Sequence, residues 1–520
     1  LVISAIIIVA RIWDGFNDPI MGWIVEKCHF KLGKYKPWIL IGGLSNAVVL
    51  FLMFYLQPVG WWYVGAFCLF YFFWDFTFTM NDIGYWSMLP SLSSDEKERS
   101  TLTIMVSVCA SIGAFAAGGV IPLLVAGDAK NMYALVAAII AILFAASQSI
   151  LFFFCKEHKR DESQEKVSEN TKFSDMFRLL KTNSQLRVTT IVILIYYLGS
   201  VILNGLGLNY FYFFYGYGEG GTIQFIFTVA YALGTIIAQV IFPLLIKKLS
   251  REKLFTISFY VLAIGYVLFF LYDLPFGGEH FALLKSSWLG SIGDMAILSI
   301  LGILIFAGQG IFYLILLIMM TNTIEYNEWK DHQRRESLIF ALRPLTAKVS
   351  SAIQQGVVAL TLVSAGLYAI ANSLNYIEVQ KGAEIGDFDM NATVQAAFLE
   401  KYGLTGGSDI AYLSSLTDKD YLKLYATWLG DKEVADIAFT QIVTLKTFMC
   451  VLPLILFIIS YILIKKYYFL NEERYNQMVL EISERYKPGY VEGEVVGDKN
   501  LHNELEMFKS KELKAKTKNI

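Results

Sequence analysis

The stretch Arg11–Lys27, RIWDGFNDPIMGWIVEK, follows directly on an apolar run, LVISAIIIVA, at residues 1–10. The run reads as part of a membrane helix, yet its continuation brings in Arg11, Asp14, Asn17 and Asp18 within eight residues. A carboxylate at the centre of a bilayer costs about 3 kcal/mol or more on insertion scales. Asp14 and Asp18 are one turn apart, so two like charges share a helix face with Asn17 beside them. Three oxygen-bearing side chains at that spacing are a partial shell for a hard monovalent cation, which would cancel the repulsion. The competing reading is a structural ion pair, with Arg11 or another basic group neutralising an aspartate.

The rest of the chain agrees with a membrane setting. Of its 520 residues 56% are hydrophobic and only 17% charged, well below the roughly 25% of soluble domains, so the bilayer is the expected solvent. The five cysteines (Cys28, Cys68, Cys109, Cys155, Cys450) show no CxxC or paired spacing and exclude a disulfide framework or thiolate metal site. The five histidines lie in or beside loops, so any intramembrane relay has to use carboxylates.

Eleven apolar spans are legible, near 1–25, 38–57, 61–89, 101–126, 131–155, 187–215, 222–246, 254–273, 292–322, 338–372 and 438–466. Alternate connections are basic, among them EKCHFKLGKYK, DEKER, KKLSREK and EWKDHQRRE, whereas QPVG, AGDAKN and GYGEGG carry almost no Lys or Arg. The positive-inside rule makes the basic set cytoplasmic. The first visible span then runs inward, which calls for one further helix before it; the chain opens on Leu1 and reads as lacking its natural start. The expectation is an all-α membrane protein of major facilitator fold, six plus six helices, with the first helix missing and eleven visible. Residues 1–155 form the first half, 156–186 a cytoplasmic linker, and 187–468 the second half with an extracellular insert at 373–437. Residues 469–520 form a cytoplasmic tail, amphipathic at first (EERYNQMVLEISERY) and then charged and without a fixed fold. The loop GKYKPWILIG and its counterpart LIKKLSREKL are expected to form cytoplasmic charge locks with DEKER and EWKDHQRRE in the outward-facing state.

Further polar groups interrupt the spans. In FWDFTFTMNDIGYWSM, Asp75, Thr79 and Asp82 recur at i, i+4 and i+7, and Trp86 follows on the same face. A carboxylate with a flat aromatic suits a sugar: the carboxylate accepts from hydroxyls and the ring packs on the C–H face of the pyranose. Trp86 alone would equally suit an interfacial anchor. In the second half Lys348 lies ten residues into its span and needs a carboxylate partner; Asp14, Asp18, Asp75 and Asp82 are the candidates. Arg343, followed by Pro344, lies five residues earlier and is close enough to the span's start to snorkel. Asp75 is a candidate partner for either cation. Tyr313, in GIFYLILLIMM, is a candidate cavity-lining residue, and Asn204 with Gly205 adds a polar, kinkable point to the sixth visible span; residues of both kinds more often serve packing.

The motifs RIWDGFNDPIMGWIVEK…LGKYKPWILIG, TMNDIGYWSMLP, DEKERS, TIEYNEWK and RRES, with the intramembrane Lys348, resemble the glycoside–pentoside–hexuronide:cation symporters, the melibiose-carrier family of the major facilitator superfamily. The resemblance runs through nearly the whole chain except 373–437 and the distal tail. It implies that Asp14, Asn17, Asp18 and Thr79 hold a coupling cation, Na⁺ or else Li⁺ or H⁺. It also implies that Asp82 and Trp86 bind sugar, with Lys348 at the junction of the two sites. The substrate-side set is Asp82, Trp86, Asp75, Lys348, Arg343 and Tyr313. Three positions depart from the family pattern: Ser107 stands for an arginine, Pro344 for a threonine and Asp75 for a glycine. Pentosides, β-glucosides and uronides therefore stay open beside galactosides.

The implied function is symport of a glycoside, pentoside or hexuronide by alternating access at the cell membrane, with no enzymatic activity and no cofactor beyond the cation. Expected partners are the sugar, the monovalent cation and surrounding lipid, with no nucleic acid; a regulatory phosphotransferase protein is a candidate on the cytoplasmic face. Two rivals are a sodium-coupled lysophospholipid carrier of the same fold and a non-transporting membrane sensor.

Overall fold

The computed structural model describes residues 13, 17–18, 20–25, 27–28, 30, 32–56, 58, 60–92, 96–125, 129–155, 174–272, 290–332, 335–380, 398–400, 418–485 and 496–517. Among them every regular element is a helix. The first half holds α1 (Lys36–Tyr55), α2 (Trp61–Leu92), α3 (Glu96–Val125) and α4 (Ala129–Phe154), preceded by a helical segment that carries Asn17, Asp18 and Met21. A short α5 (Ser174–Thr182) leads into the second half: α6 (Ser184–Tyr215), α7 (Tyr217–Lys248), α8 (Arg251–Tyr272), α9 (Gly290–Asp331), α10 (Glu336–Phe340) and α11 (Leu342–Ser364). Then come α12 (Tyr368–Gln380), α13 (Asp418–Val434), α14 (Phe439–Tyr467), α15 (Glu472–Arg485) and α16 (Lys499–Thr517).

Among the described residues eight helices are long and apolar enough to cross a membrane, and one bent pair makes a ninth. Most of the expected span at 1–25 lies outside the described residues, as does much of the linker at 156–186. Outward-facing positions are apolar where a soluble protein would be charged: Ile142, Leu143, Phe153, Phe154, Leu244 and Ile300 are all exposed. The core lies between helices, with Tyr196, Tyr210, Phe255, Phe306, Phe312 and Phe457 packed together in the second half. Where α1 crosses α2 the backbones nearly touch. A Cβ on Gly42 would stand 2.7 Å from the Asn81 amide nitrogen, so only glycine lets the helices approach this closely.

Local chemistry sets the boundaries near the site. Asn183 caps α6, its side chain accepting from the Leu186 amide at 2.9 Å. Pro344 has no N–H to offer the Phe340 carbonyl, and the helix breaks at Ala341 between α10 and α11. In the first turn of α11 that missing donor has no cost. At the far end Gly366 takes φ +70, its amide meeting the Val363 carbonyl at 3.0 Å, and the Leu367 amide meets Leu362 at 2.8 Å. This is a Schellman termination. The chain then turns by 112° into α12, so the single span expected at 338–372 ends at Ser364; a left-handed glycine outweighs the continuing apolar run.

The tail also departs from expectation. Its described parts, α15 and α16, are folded against the end of the bundle that carries the basic turns, here termed the basic end. With 42 residues, α9 is about 63 Å long at 1.5 Å per residue, twice the hydrocarbon thickness. Its overhang carries Tyr326 and Trp329, buried against Leu470, Tyr475, Met478 and Leu505 of the tail, and the buried Lys330. Trp329 Nε1 donates to Glu481 at 2.7 Å, and Lys330 forms an ion pair with Glu512. Arg251 stacks over Tyr475, and its amide donates to Glu472 at 3.4 Å. Lys330 and Arg251 are thus engaged by the tail, where charge locks between turns were expected. The tail's charge looked like disorder because its few apolar residues find their partners on another element.

At the opposite end α12 and α13 pack on each other and α13 on α7. Asp431 accepts from the Gly218 amide at 2.9 Å, and Phe398, Tyr425 and Trp428 form an aromatic cluster within the insert.

Candidate functional site

Side chains from three places converge between the halves: the segment around Asn17 and Asp18, the middle of α2, and the first turns of α11. The i, i+4, i+7 spacing of Asp75, Thr79 and Asp82 aims them along one face of α2. Arg343 and Lys348 meet that face from α11, which the break at Ala341 starts at the right level.

Lys348 forms the centre. Its ammonium donates to Asp18 Oδ1 at 2.9 Å and stands 3.5 Å from Asp75 Oδ1. Both carboxylates are almost fully buried, with side-chain exposures of 2% and 4%. Thr79 donates its hydroxyl to the same Asp18 Oδ1 at 3.2 Å, while Asn17 donates its amide to Asp75 Oδ2 at 3.0 Å. Asp18 Oδ2 is buried with no hydrogen-bond partner among the described residues. Orphaned buried carboxylate oxygens are uncommon and call for an explanation.

Nearer the basic end, Arg343 meets Asp82 and Trp86. Its Nη2 lies 3.5 Å from Asp82 Oδ2, and the guanidinium carbon stands 3.9 Å from the centre of the Trp86 ring. Trp86 Nε1 in turn donates to Asp82 Oδ1 at 3.1 Å, so both oxygens of Asp82 are occupied. Tyr313 approaches the same guanidinium together with Tyr197, whose hydroxyl donates to that of Tyr313 at 2.8 Å.

The structure brings together Asn17, Asp18, Thr79, Asp75, Asp82, Trp86, Lys348, Arg343 and Tyr313; Asp14 lies outside the described residues. Leaving Asp14 aside, three carboxylates face two cationic side chains among the described residues of this site. Within the set expected to hold a cation, Asn17 turns to Asp75, so the described oxygens around Asp18 come from Asp18 itself and Thr79. No group of three or more His, Cys, Asp or Glu side chains fit for a metal ion occurs among the described residues. Buried Trp86, against Arg343, is not an interfacial anchor.

Tyr197 escaped the sequence reading. Its only signal is the doublet IYY in an otherwise aliphatic run, and Tyr196 beside it points elsewhere, donating to the Gln309 carbonyl at 3.0 Å. The α3–α7 contact was equally unseen: Gln239 donates to Ser111 at 3.1 Å, and Phe115 meets Tyr231 edge-on at 4.9 Å.

A helical two-half bundle with lipid-facing apolar surfaces and a buried charge cluster between the halves defines a multi-span membrane transporter of the major facilitator class. The chain belongs to the MFS/sugar transport protein family, whose pattern it matches over residues 1–383. That is a family of transporters, not enzymes. It is 26% identical over 385 residues to the lactose permease of Lactobacillus delbrueckii subsp. bulgaricus, covering 70% of this chain and 57% of that protein. It is 27% identical over 385 residues to the raffinose carrier protein of Pediococcus pentosaceus, covering 70% and 55%. With the isoprimeverose transporter of Lactiplantibacillus pentosus the identity is 23% over 391 residues, covering 73% and 76%. The chain thus spans just over half the length of the first two. These relatives bear out the resemblance to glycoside–pentoside–hexuronide:cation symporters. A crystal structure of the E. coli fucose:proton symporter aligns with a TM-score of 0.48 at 13% identity, over 69% of this chain and 84% of that one.

Proposed function

We propose that this protein couples inward movement of a monovalent cation, Na⁺ or H⁺, to uptake of a glycoside, with the basic end and the tail facing the cytoplasm. The observation that carries this reading is the Lys348 ammonium held between Asp18 and Asp75. An internal cation bridges the halves beside a carboxylate oxygen that has no hydrogen-bond partner among the described residues. A coupling ion bound at Asp18, with Thr79 and Asp14 as further oxygens, competes with Lys348 for the same charge. Once Asp18 is neutralised from outside, Lys348 falls back on Asp75, and the bridge between the halves loosens. Coupling of this kind is a difference in free energy between states and is reciprocal, so sugar tightens cation binding by the factor by which the cation tightens sugar binding.

Asp82 and Trp86 are the sugar side of the site, Asp82 as hydroxyl acceptor and Trp86 as the packing surface. The relatives named for lactose, raffinose and isoprimeverose support a glycoside and favour neither a lysophospholipid nor a sensor role. A regulatory phosphotransferase protein on the cytoplasmic face would have to meet the docked α15–α16 pair.

Two substitutions test the division of labour. Asp18→Asn is expected to abolish cation-dependent stimulation of galactoside binding while leaving binding itself measurable. Asp82→Ala is expected to abolish galactoside binding while leaving cation-dependent stabilisation. Identical phenotypes for both would remove the separation of sites.

A further inference from the structure

Arg343 occupies both features that a sugar needs on α2. Its guanidinium lies on the Trp86 ring at 3.9 Å, van der Waals distance, which leaves no room for a pyranose on that face. Its Nη2 holds one oxygen of Asp82, and Trp86 Nε1 holds the other. The ion pair is partly wetted, with side-chain exposures of 15% and 24%, so a polar ligand has access to it. Arg343 also belongs to the second half and its two partners to the first. The contact that covers the sugar seat is therefore a bridge between the halves, placed where α10 packs on α2 near the basic end.

We propose that Arg343 is a substrate-released gate: a sugar taking Asp82 and Trp86 displaces the guanidinium, and that displacement unlatches the basic end. The inference rests on the reading of Asp82 and Trp86 as the sugar seat. It assigns the two inter-half bridges to the two cargoes. Lys348 on Asp18 and Asp75 answers to the cation, Arg343 on Asp82 and Trp86 answers to the sugar, and the halves part at the basic end only when both have let go. Either cargo alone leaves one bridge closed, which is the condition that prevents uncoupled leak. Tyr197 and Tyr313 provide the displaced guanidinium with a place to rest, since both already approach it. Arginine suits the latch because its flat guanidinium stacks on the indole and meets the carboxylate together, which an ammonium does less well.

The experiment places a cysteine at Ala341, buried at the α10–α11 break on the first-half core. Alkylation of that peptide by a membrane-impermeant maleimide is followed by mass spectrometry in purified protein, with 4-nitrophenyl α- and β-galactosides as ligand probes. With Asp18 neutralised by sodium or acid, so that only the Arg343 bridge still holds, Arg343→Gln in the Ala341→Cys background is expected to raise galactoside-free alkylation about tenfold and to bind the galactoside about tenfold more tightly. Arg343→Lys, which keeps the charge and loses the stack, is expected to fall between. Asp82→Ala frees the same guanidinium, so it shares the raised alkylation but loses galactoside binding. Size-exclusion profiles and Arg343→Lys guard against a misfolded glutamine variant. Unchanged galactoside-free alkylation in Arg343→Gln under sodium or acid, with Asp82→Ala still abolishing binding, overturns the gate alone. Loss of galactoside binding in Arg343→Gln overturns it too, making Arg343 a sugar ligand. Normal galactoside binding by Asp82→Ala overturns the site reading and the substrate release with it.

Discussion

Replacing Lys348 with methionine keeps the length and apolar stem of the side chain and removes only the charge. Asp18 then retains the Thr79 hydroxyl at 3.2 Å on one oxygen and no hydrogen-bond partner among the described residues on the other. Asp75 retains Asn17 at 3.0 Å. Breaking a buried ion pair from one side costs about 3–5 kcal/mol, because the remaining charge stays buried without compensation. The 2.9 Å contact to an Asp18 that is 2% exposed puts Lys348→Met at about 3 kcal/mol in choline chloride. Pairing it with Asp18→Asn removes the stranded charge, so the double variant is expected to recover about 2 kcal/mol relative to the sum of the singles. Sodium or acid is expected to stabilise Lys348→Met more than the parent, since an external cation now has no internal competitor. The assay is unfolding of purified protein in detergent for the parent, the two singles and the double, each in choline and in sodium chloride. Additivity to within about 0.5 kcal/mol would show that Lys348 and Asp18 do not interact and would refute the bridge.

Three further outcomes follow from the geometry. Trp329→Ala removes a fully buried indole and its hydrogen bond to Glu481, which keeps Gln477 and His502 as partners; a loss of about 3–5 kcal/mol from the tail's docking is expected to appear as rapid proteolysis of the tail in the variant only. Gly42→Ala drives a Cβ into the Asn81 backbone at 2.7 Å, and the α1–α2 pair is expected to lose about 1–3 kcal/mol, read as a lowered unfolding midpoint with galactoside affinity retained. Gly366→Ala forces alanine into φ +70, for an expected loss of about 1 kcal/mol; Gly366→Asn, which tolerates that region better, should cost less.

Charge and spacing made the site legible. Asp75, Thr79 and Asp82 lie on one face of α2 because three and four residues separate them, and a buried lysine required a carboxylate that could only come from the first half. That reasoning named Asp75 as one of four candidate partners of Lys348 and as a candidate for Arg343 too, at a position where the family pattern has no acid; the structure sets it 3.5 Å from Lys348. It did not reach Tyr197, since one tyrosine among thirty carries no distinguishing spacing. Nor did it anticipate that Asn17 would turn to Asp75, because rotamer choice between two neighbouring carboxylates is decided by packing across helices. The break after Ser364 had a visible signal in SAGLY, which hydropathy averaged away. The tail misled for a physical reason. Tyr475, Met478 and Leu505 are too few to fold alone, and they become a core only beside Trp329 and Tyr326 on an overhang whose length the apolar pattern of α9 conceals.

The central claim is that a cation at Asp18 drives sugar across the membrane. Its most direct test is accumulation of radiolabelled lactose or raffinose in proteoliposomes holding the purified protein, under an inward Na⁺ gradient and, separately, an inward proton gradient, with the membrane potential clamped. One of the two gradients is expected to raise internal sugar above the external concentration, and Asp18→Asn is expected to reduce that to equilibration at most. Accumulation that ignores both gradients, or uphill accumulation that survives in Asp18→Asn, would contradict the account.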